Sequence, residues 1–121
     1  EISYVHAEGY SAGAMKHGPL ALVGPDTPSV FLLAAGESFE KTLANMEEVR
    51  ARRGKIIAVS NTADPRLERV ADDLVIVPSA DEILAPLLTV IPLQLFAYYL
   101  ALELGRDIDH PRNLAKSVTT E

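Results

Sequence analysis

Three short apolar runs, each bounded by turn-forming residues, limit the folds open to this chain more than any other feature. The runs are Val30–Ala35, Ile56–Ser60 and Leu74–Val77. Their apolar residues are nearly continuous rather than alternating with polar ones, which is typical of strands covered on both faces of a parallel sheet. The sequence therefore predicts three buried strands.

The segments between these strands have the pattern of helices. Ser38–Arg53 is predicted as a helix with Ser38 as a possible cap and Gly54 as its stop. One face of this helix is apolar and consists of Phe39, Leu43, Met46 and Val49. A shorter helix is predicted from Pro65 to Ala71, with Asp64 as its cap. These crossovers predict the α/β class, as a three-layer parallel sheet flanked by helices.

A longer apolar segment follows the third strand. Residues Ile83–Leu102 carry no charge, and the length of this uncharged segment is about what a membrane span needs. Two internal prolines, Gln94 and the lack of a flanking basic cluster favour a buried core helix instead. The helix is predicted to begin near Ser79 or Asp81 and to end at Gly105. A chain without the layers that cover it would expose a large apolar face and is expected to self-associate.

The first sixteen residues are predicted as a helix interrupted by Gly9 and Gly13. Gly18 and Pro19, which follow His17, end helical geometry. The tail after Gly105 has no strong periodicity and is predicted to be an ordered loop. The chain opens on Glu1 without a signal peptide, so we expect it to be cut from a longer sequence.

Composition narrows the function classes. The 121 residues suit one small domain or a piece of one, and the net charge of -6 disfavours nucleic acid and anionic membranes as partners. The chain has no cysteine, which excludes a disulfide framework, a thiolate metal site and a cysteine nucleophile. A cytoplasmic setting fits this composition. The three histidines lie far apart and lack carboxylates at zinc-ligand spacing, so no metal or other cofactor is expected.

Three titratable residues are candidates for chemistry, although each has a simpler interpretation. His17 at a helix end could transfer protons near neutral pH, or it could be a surface histidine. Lys116 follows Leu114 and Ala115 in a polar tail. Burial and the nearby Arg112 would lower the pKa of its amine for Schiff-base chemistry, but a solvated lysine is the more common case. Glu1 in an apolar setting could act as a general base.

Two terminal stretches carry a family resemblance. The opening EISYVHAEGYSAGAMKHGPLAL and the closing DIDHPRNLAKSVTTE resemble the signature stretches of the glutamine–fructose-6-phosphate aminotransferase (isomerizing) family, and the resemblance extends through the middle of the chain. The matching region is most of the second of two sugar isomerase (SIS) domains. The resemblance thus implies that residues 1–121 are a partial SIS domain with an active-site tail at 106–121.

The family's functional residues map onto this sequence by position. The resemblance implies that Glu1 moves a proton between C1 and C2 of the open-chain sugar and that His17 opens the sugar ring in the neighbouring subunit's site. It implies that Lys116 forms a Schiff base with fructose 6-phosphate, while Ala115 and Lys116 pack over the sugar. Arg112 is assigned an auxiliary electrostatic role in substrate binding.

The resemblance also implies partners that this sequence lacks. These are a glutaminase domain with an N-terminal cysteine and a first SIS domain with a Ser/Thr-rich phosphate loop, together making glucosamine 6-phosphate in a homodimer. The isolated segment is expected to be inactive. Two departures are Ala14, where relatives commonly carry a glutamate, and His110, where they often carry glutamine or lysine.

Two other function classes remain open at this point. A non-catalytic sugar-phosphate-binding SIS regulatory domain would keep the α/β layering but would not need a lysine-bearing tail. A receiver-like signalling domain would need acidic residues at the end of a strand, whereas Asp72 and Asp73 precede one. The PRNLAKS ending favours the enzyme.

Overall fold

A computed structural model of the chain describes residues 1–112. Within them, a three-stranded parallel sheet has the order β1–β2–β3, and helices flank it, which confirms the predicted fold class. The strands are β1 (Ser29–Leu33), β2 (Ile56–Ser60) and β3 (Asp73–Ile76). Two 3₁₀ helices, Ala12–His17 and Pro19–Leu22, precede β1. The α-helices are α1 (Phe39–Ala51), α2 (Pro65–Val70) and α3 (Ala85–Glu103).

The chain divides into two compact units. One comprises Gly9–Val90 and contains the sheet, and the other comprises Glu1–Glu8 together with the chain from Ile91 onward. The sheet unit carries the hydrophobic core, and the second unit joins the two ends of the sequence.

The core of the sheet unit lies between the sheet and α1. The predicted apolar face of α1 is buried, and Met46 and Val49 are fully inaccessible to solvent. Ile56 of β2 and Leu67 of α2 are equally buried and belong to the same cluster. The spacing of apolar residues in α1 therefore gave the correct buried face.

The opposite face of the sheet is also apolar, but it is less covered. Val30, Leu32 and Val75 remain 40%, 45% and 40% exposed, respectively. Register pairs Val30 with Ile57 and Val59 with Val75, so apolar side chains continue across all three strands on this face. Apolar residues on both faces explain why the strands are nearly continuous apolar runs.

Helix α1 ends at an unusual residue. The Arg53 N–H donates to the Arg50 carbonyl, and the Gly54 N–H donates to the Val49 carbonyl, which is the hydrogen-bond pattern of a Schellman motif. In this motif the left-handed position is normally a glycine, but here it is Arg53, with φ of 62°. Gly54, predicted as the stop, instead lies one residue later, where a Cβ would come within 2.6 Å of Val23 Cγ1 and 2.7 Å of Val49 Cγ1.

Two predicted caps differ in outcome. The Asp64 carboxylate accepts a hydrogen bond from the Arg66 N–H at 2.8 Å and caps α2, as predicted. Ser38 occupies the N-cap position of α1, as predicted, but its side chain makes no capping bond. Its backbone is already helical, with φ of −84° and ψ of −13°, and a capping residue normally has extended backbone.

Helix α3 ends at Glu103, and Gly105, predicted as its stop, follows with φ of 64°. Of the described residues, only this helix is long and apolar enough to cross a membrane, a test that core helices of soluble proteins also pass. It is predicted as a buried core helix, but only 17% of its most apolar window is buried in this chain. The expected uncovered apolar face is therefore present.

The opening segment is not the predicted helix. Residues 1–11 contain no helix, and a 3₁₀ helix begins only at Ala12. Tyr4 has φ of 58°, which no right-handed helix contains. The first 3₁₀ helix ends at His17, as predicted, but a second 3₁₀ helix begins at Pro19, so helical geometry is interrupted at Gly18 and does not end there.

Candidate functional site

The carboxyl ends of the parallel strands carry buried polar groups in the sheet unit. Asn61 follows β2, is 5% exposed, and its Oδ1 atom accepts the Ala35 N–H beyond the end of β1 at 2.7 Å. Ser60 is fully buried, and its carbonyl accepts the Val77 N–H beyond the end of β3. Because open parallel sheets bind ligands at this edge, the bonds fix the loops from which such a site would be built.

An ion network lies at the same edge and joins the beginnings of α1 and α2. Arg66 donates two hydrogen bonds to Glu40, at 2.9 and 2.7 Å, and further bonds to Asp64. The Arg66 side chain lowers the pKa of Asp64 to about 2, with help from the Arg66 backbone N–H, and also lowers the pKa of Glu40. The guanidinium lies 5.6 Å from the Phe39 ring centroid.

This network predicts acid sensitivity. A folded-state pKa below the ordinary 3.8 means that Asp64 stabilises the fold above about pH 4, and that the stabilisation is lost as the pH falls towards 2. In D64N, which keeps a capping side chain, the melting temperature should change less over this range than in the unsubstituted chain. E47Q, at an exposed position of α1, is the control. An equal acid dependence in D64N would contradict the prediction.

The charge at this edge is mainly negative. A Cβ on Gly36 would lie 2.9 Å from a Glu82 carboxylate oxygen, so a carboxylate already occupies the space beside the loop after β1. Glu37 precedes α1, and Glu40 lies in its first turn. Arg66 forms ion pairs with two carboxylates. A phosphate dianion would meet repulsion here. This edge is therefore poorly suited to a phosphate site.

A groove of about 380 Å³ lies at the amino ends of the strands. It is lined by Arg50, Arg53, Gly54, Lys55 and Asp72. Asp72 accepts the Ile56 N–H and an Arg50 N–H, both at 2.9 Å, and these bonds lower the pKa of its carboxyl. The carboxylate thus attaches the end of α1 to the beginning of β2. These hydrogen bonds give Asp72 a structural role.

In the second unit, Tyr4 contacts two arginines. The Tyr4 hydroxyl accepts the Arg112 backbone N–H at 2.9 Å, across a separation of 108 residues. The guanidinium carbon of Arg112 lies 4.1 Å from the Tyr4 ring centroid, and that of Arg106 lies 5.3 Å away. Both distances are within the range of cation–π attraction. The two terminal signature stretches therefore meet at Tyr4.

The structure assigns the predicted site residues to different places. Glu1 is exposed, and it belongs to the same unit as Arg112, which is also exposed. His17 belongs to the sheet unit, where it is the exposed last residue of the first 3₁₀ helix. Ala115 and Lys116 lie outside the described residues. Among residues 1–112, no group of His, Asp and Glu side chains could hold a metal ion.

Sequence reasoning missed Tyr4, Arg106 and Asn61. Asn61 had a usable signal, since a polar residue directly after a buried strand is expected at the ligand-binding edge of a parallel sheet. Tyr4 lies within the quoted EISY stretch, but no local pattern indicates that it contacts residues near the other end of the chain. Arg106 belongs to the tail that is predicted to be an ordered loop, and no local pattern distinguishes it there.

Comparisons with known proteins agree on one family. The model of the SIS domain family matches residues 1–104. Over all 121 residues, the chain is 55% identical to the glutamine–fructose-6-phosphate aminotransferase (isomerizing) of Thermus thermophilus and 52% identical to that of Aquifex aeolicus. In each case the match covers 100% of this chain and 20% of the relative. The chain thus spans about a fifth of the length of these curated relatives.

A solved structure gives the same result. The C-terminal domain of glucosamine-fructose-6-phosphate aminotransferase from Francisella tularensis superposes with a TM-score of 0.78 at 38% identity. The match covers 88% of this chain and 30% of that chain. Similarity in sequence and in fold therefore point to one kind of domain.

Proposed function

This chain belongs to the SIS domain family, and on that basis we propose that it is the isomerase segment of an enzyme that makes glucosamine 6-phosphate from fructose 6-phosphate and glutamine. The similar proteins named above are aminotransferases of this kind. The remaining parts of the enzyme, a glutaminase domain and a first SIS domain, belong to the same parent chain. The enzyme is a cytoplasmic homodimer and requires no cofactor.

One observation carries the proposal. The Tyr4 hydroxyl and the Arg112 N–H join the EISY stretch to the PRNLAKS stretch within one compact unit. Glu1 is three residues before Tyr4, and Lys116 is four residues after Arg112. A mechanism that needs a carboxylate and an amine at one sugar is supported by this meeting of the two segments.

The proposed reaction begins with a covalent bond between Lys116 and the sugar. The neutral Lys116 amine attacks the fructose 6-phosphate carbonyl, a carbon–nitrogen bond forms, and water leaves to give an iminium ion. The iminium withdraws electrons from C1, which makes the hydrogens there more acidic. Ammonia from the glutaminase domain then displaces the Lys116 amine at C2, which frees the lysine and leaves the imine of the ketose. The Glu1 carboxylate takes a proton from C1 and returns one to C2, so this imine becomes the 2-amino aldose, glucosamine 6-phosphate.

The other assigned residues act around this transfer. His17 opens the sugar ring before the carbonyl can react, within the site of the neighbouring subunit. Arg112 contributes positive charge near the anionic substrate, and Ala115 packs over the sugar. The acidic strand ends of the sheet unit support placing the phosphate in a different domain, because Glu37 and Glu82 would repel it.

Borohydride trapping tests the proposal. The full-length protein that carries this segment is incubated with fructose 6-phosphate, reduced, and digested for mass mapping. A sugar adduct on Lys116 is the expected result, and K116R, which cannot supply a neutral amine near neutral pH, should give none. Binding of fructose 6-phosphate without any adduct would favour the regulatory SIS domain and overturn the Schiff-base mechanism.

A further inference from the structure

We propose that Tyr4 is a positioning residue, which orients Glu1 on one side and the segment leading to Lys116 on the other. The inference rests on the proposed function and adds a residue to it. Tyr4 acts through its neighbours and need not touch the sugar. A hydrogen bond, two cation–π contacts and the backbone conformation of Tyr4 support this role.

The first feature is the hydrogen bond between the Tyr4 hydroxyl and the Arg112 backbone N–H, at 2.9 Å. A backbone donor fixes the position of the main chain, whereas a side-chain donor would leave the main chain free to move. This bond therefore fixes the chain a few residues before Lys116. Because it is formed by a backbone group, substitution of the Arg112 side chain would not remove it.

The second feature is the pair of guanidinium groups over the Tyr4 ring. Arg112 and Arg106 lie 4.1 and 5.3 Å from the ring centroid. Arg106 directly follows Gly105, which ends α3, so the ring attaches the loop to the end of a helix as well. Both guanidinium groups are exposed to solvent, so each cation–π contact contributes only modestly to stability. Together with the hydrogen bond, they hold the loop at two places.

The third feature is the backbone of Tyr4. Its φ of 58° is left-handed, which is uncommon for an aromatic residue and is kept only where surrounding contacts compensate for the strain. Rotation about this one bond to a normal negative φ would swing the residues before it, including Glu1. The contacts of the Tyr4 side chain therefore also determine the direction in which the Glu1 segment runs.

The test compares Y4F, Y4L and Y99F in the full-length protein. Y4F keeps the ring and loses the hydrogen-bond acceptor, whereas Y4L loses both. Y99F removes a hydroxyl from an exposed tyrosine of α3 and is the matched control. The measurements are kcat, KM, the rate of adduct formation at Lys116, the melting temperature, and the rate of tryptic cleavage after Arg112.

We expect kcat and the adduct rate to fall about fivefold in Y4F and roughly fiftyfold in Y4L, with KM changed less than about twofold. Tryptic cleavage after Arg112 should accelerate in the same order, because the released segment enters the protease more readily. Y99F should match the unsubstituted protein in all of these. Partial retention of activity in Y4F relative to Y4L would support separate roles for the ring and the hydroxyl.

Two results would overturn the inference. One is that Y4L forms the Lys116 adduct as fast as the unsubstituted protein does and is cleaved no faster after Arg112. The other is a loss of activity in Y4L that is matched by a proportional fall in melting temperature without faster cleavage after Arg112, since that indicates a general structural role. Absence of the adduct in the unsubstituted protein would instead refute the proposed function, and the positioning role with it.

Discussion

Replacement of Glu1 by glutamine is expected to lower kcat for isomerisation about 10²–10⁴-fold, the usual contribution of a positioned general base. Glutamine has nearly the same shape as glutamate but cannot accept a proton from C1. Substrate binding should change little, since the amide can keep most of the contacts that the carboxylate makes. The measurement is the steady-state rate in the full-length protein, together with exchange of solvent deuterium into C1 of the sugar.

The same variant separates the base from the nucleophile. E1Q should still give the borohydride adduct at Lys116, because formation of the iminium requires the amine and not this carboxylate. E103Q, at an exposed carboxylate near the end of α3, provides the control. A kcat for E1Q within about threefold of the unsubstituted value would remove Glu1 from the mechanism and leave the Schiff base to be judged independently.

Replacement of Gly54 by alanine is expected to destabilise the chain by about 2 kcal/mol, within the range for overpacked sites. The new methyl group would lie 2.6 Å from Val23 Cγ1 and 2.7 Å from Val49 Cγ1. Val49 is fully buried within α1, where a β-branched side chain has essentially one rotamer, so it cannot turn away. Thermal or urea-induced unfolding measures the change.

The neighbouring residue supplies a control of opposite sign. Arg53 has a left-handed backbone, so R53G removes strain and should leave the chain as stable or more stable by up to about 1 kcal/mol. Two exchanges at adjacent positions, one adding a methyl group and one removing a side chain, therefore have different effects. Unchanged stability in G54A would mean that Val23 and Val49 can move apart.

The sheet unit was predictable because its signals are local. Strand β2 was predicted with the bounds that the structure gives, and β1 and β3 differ by one or two residues at their ends. The apolar face of α1 and the Asp64 cap depend on residues only a few positions apart. Chain periodicity and capping chemistry are sufficient for features of this kind.

The opening segment was not predictable in the same way. Its helix prediction failed at Tyr4, whose backbone conformation accompanies contacts with Arg106 and Arg112. Those partners lie about a hundred residues away, so no window of local sequence contains the information. For the same reason, composition and spacing alone favoured a solvated Lys116 and a surface His17, and their functional roles came from the family resemblance.

The contact between Tyr4 and Arg112 also has a consequence for biosynthesis. The ribosome synthesises the chain from its amino end, so the segment around Tyr4 emerges long before its partner Arg112 is made. The strands between Gly9 and Val90 can pair in the meantime, whereas Tyr4 must wait for Arg112 to emerge. The proposed catalytic segments can therefore meet only after Arg112 has left the ribosome.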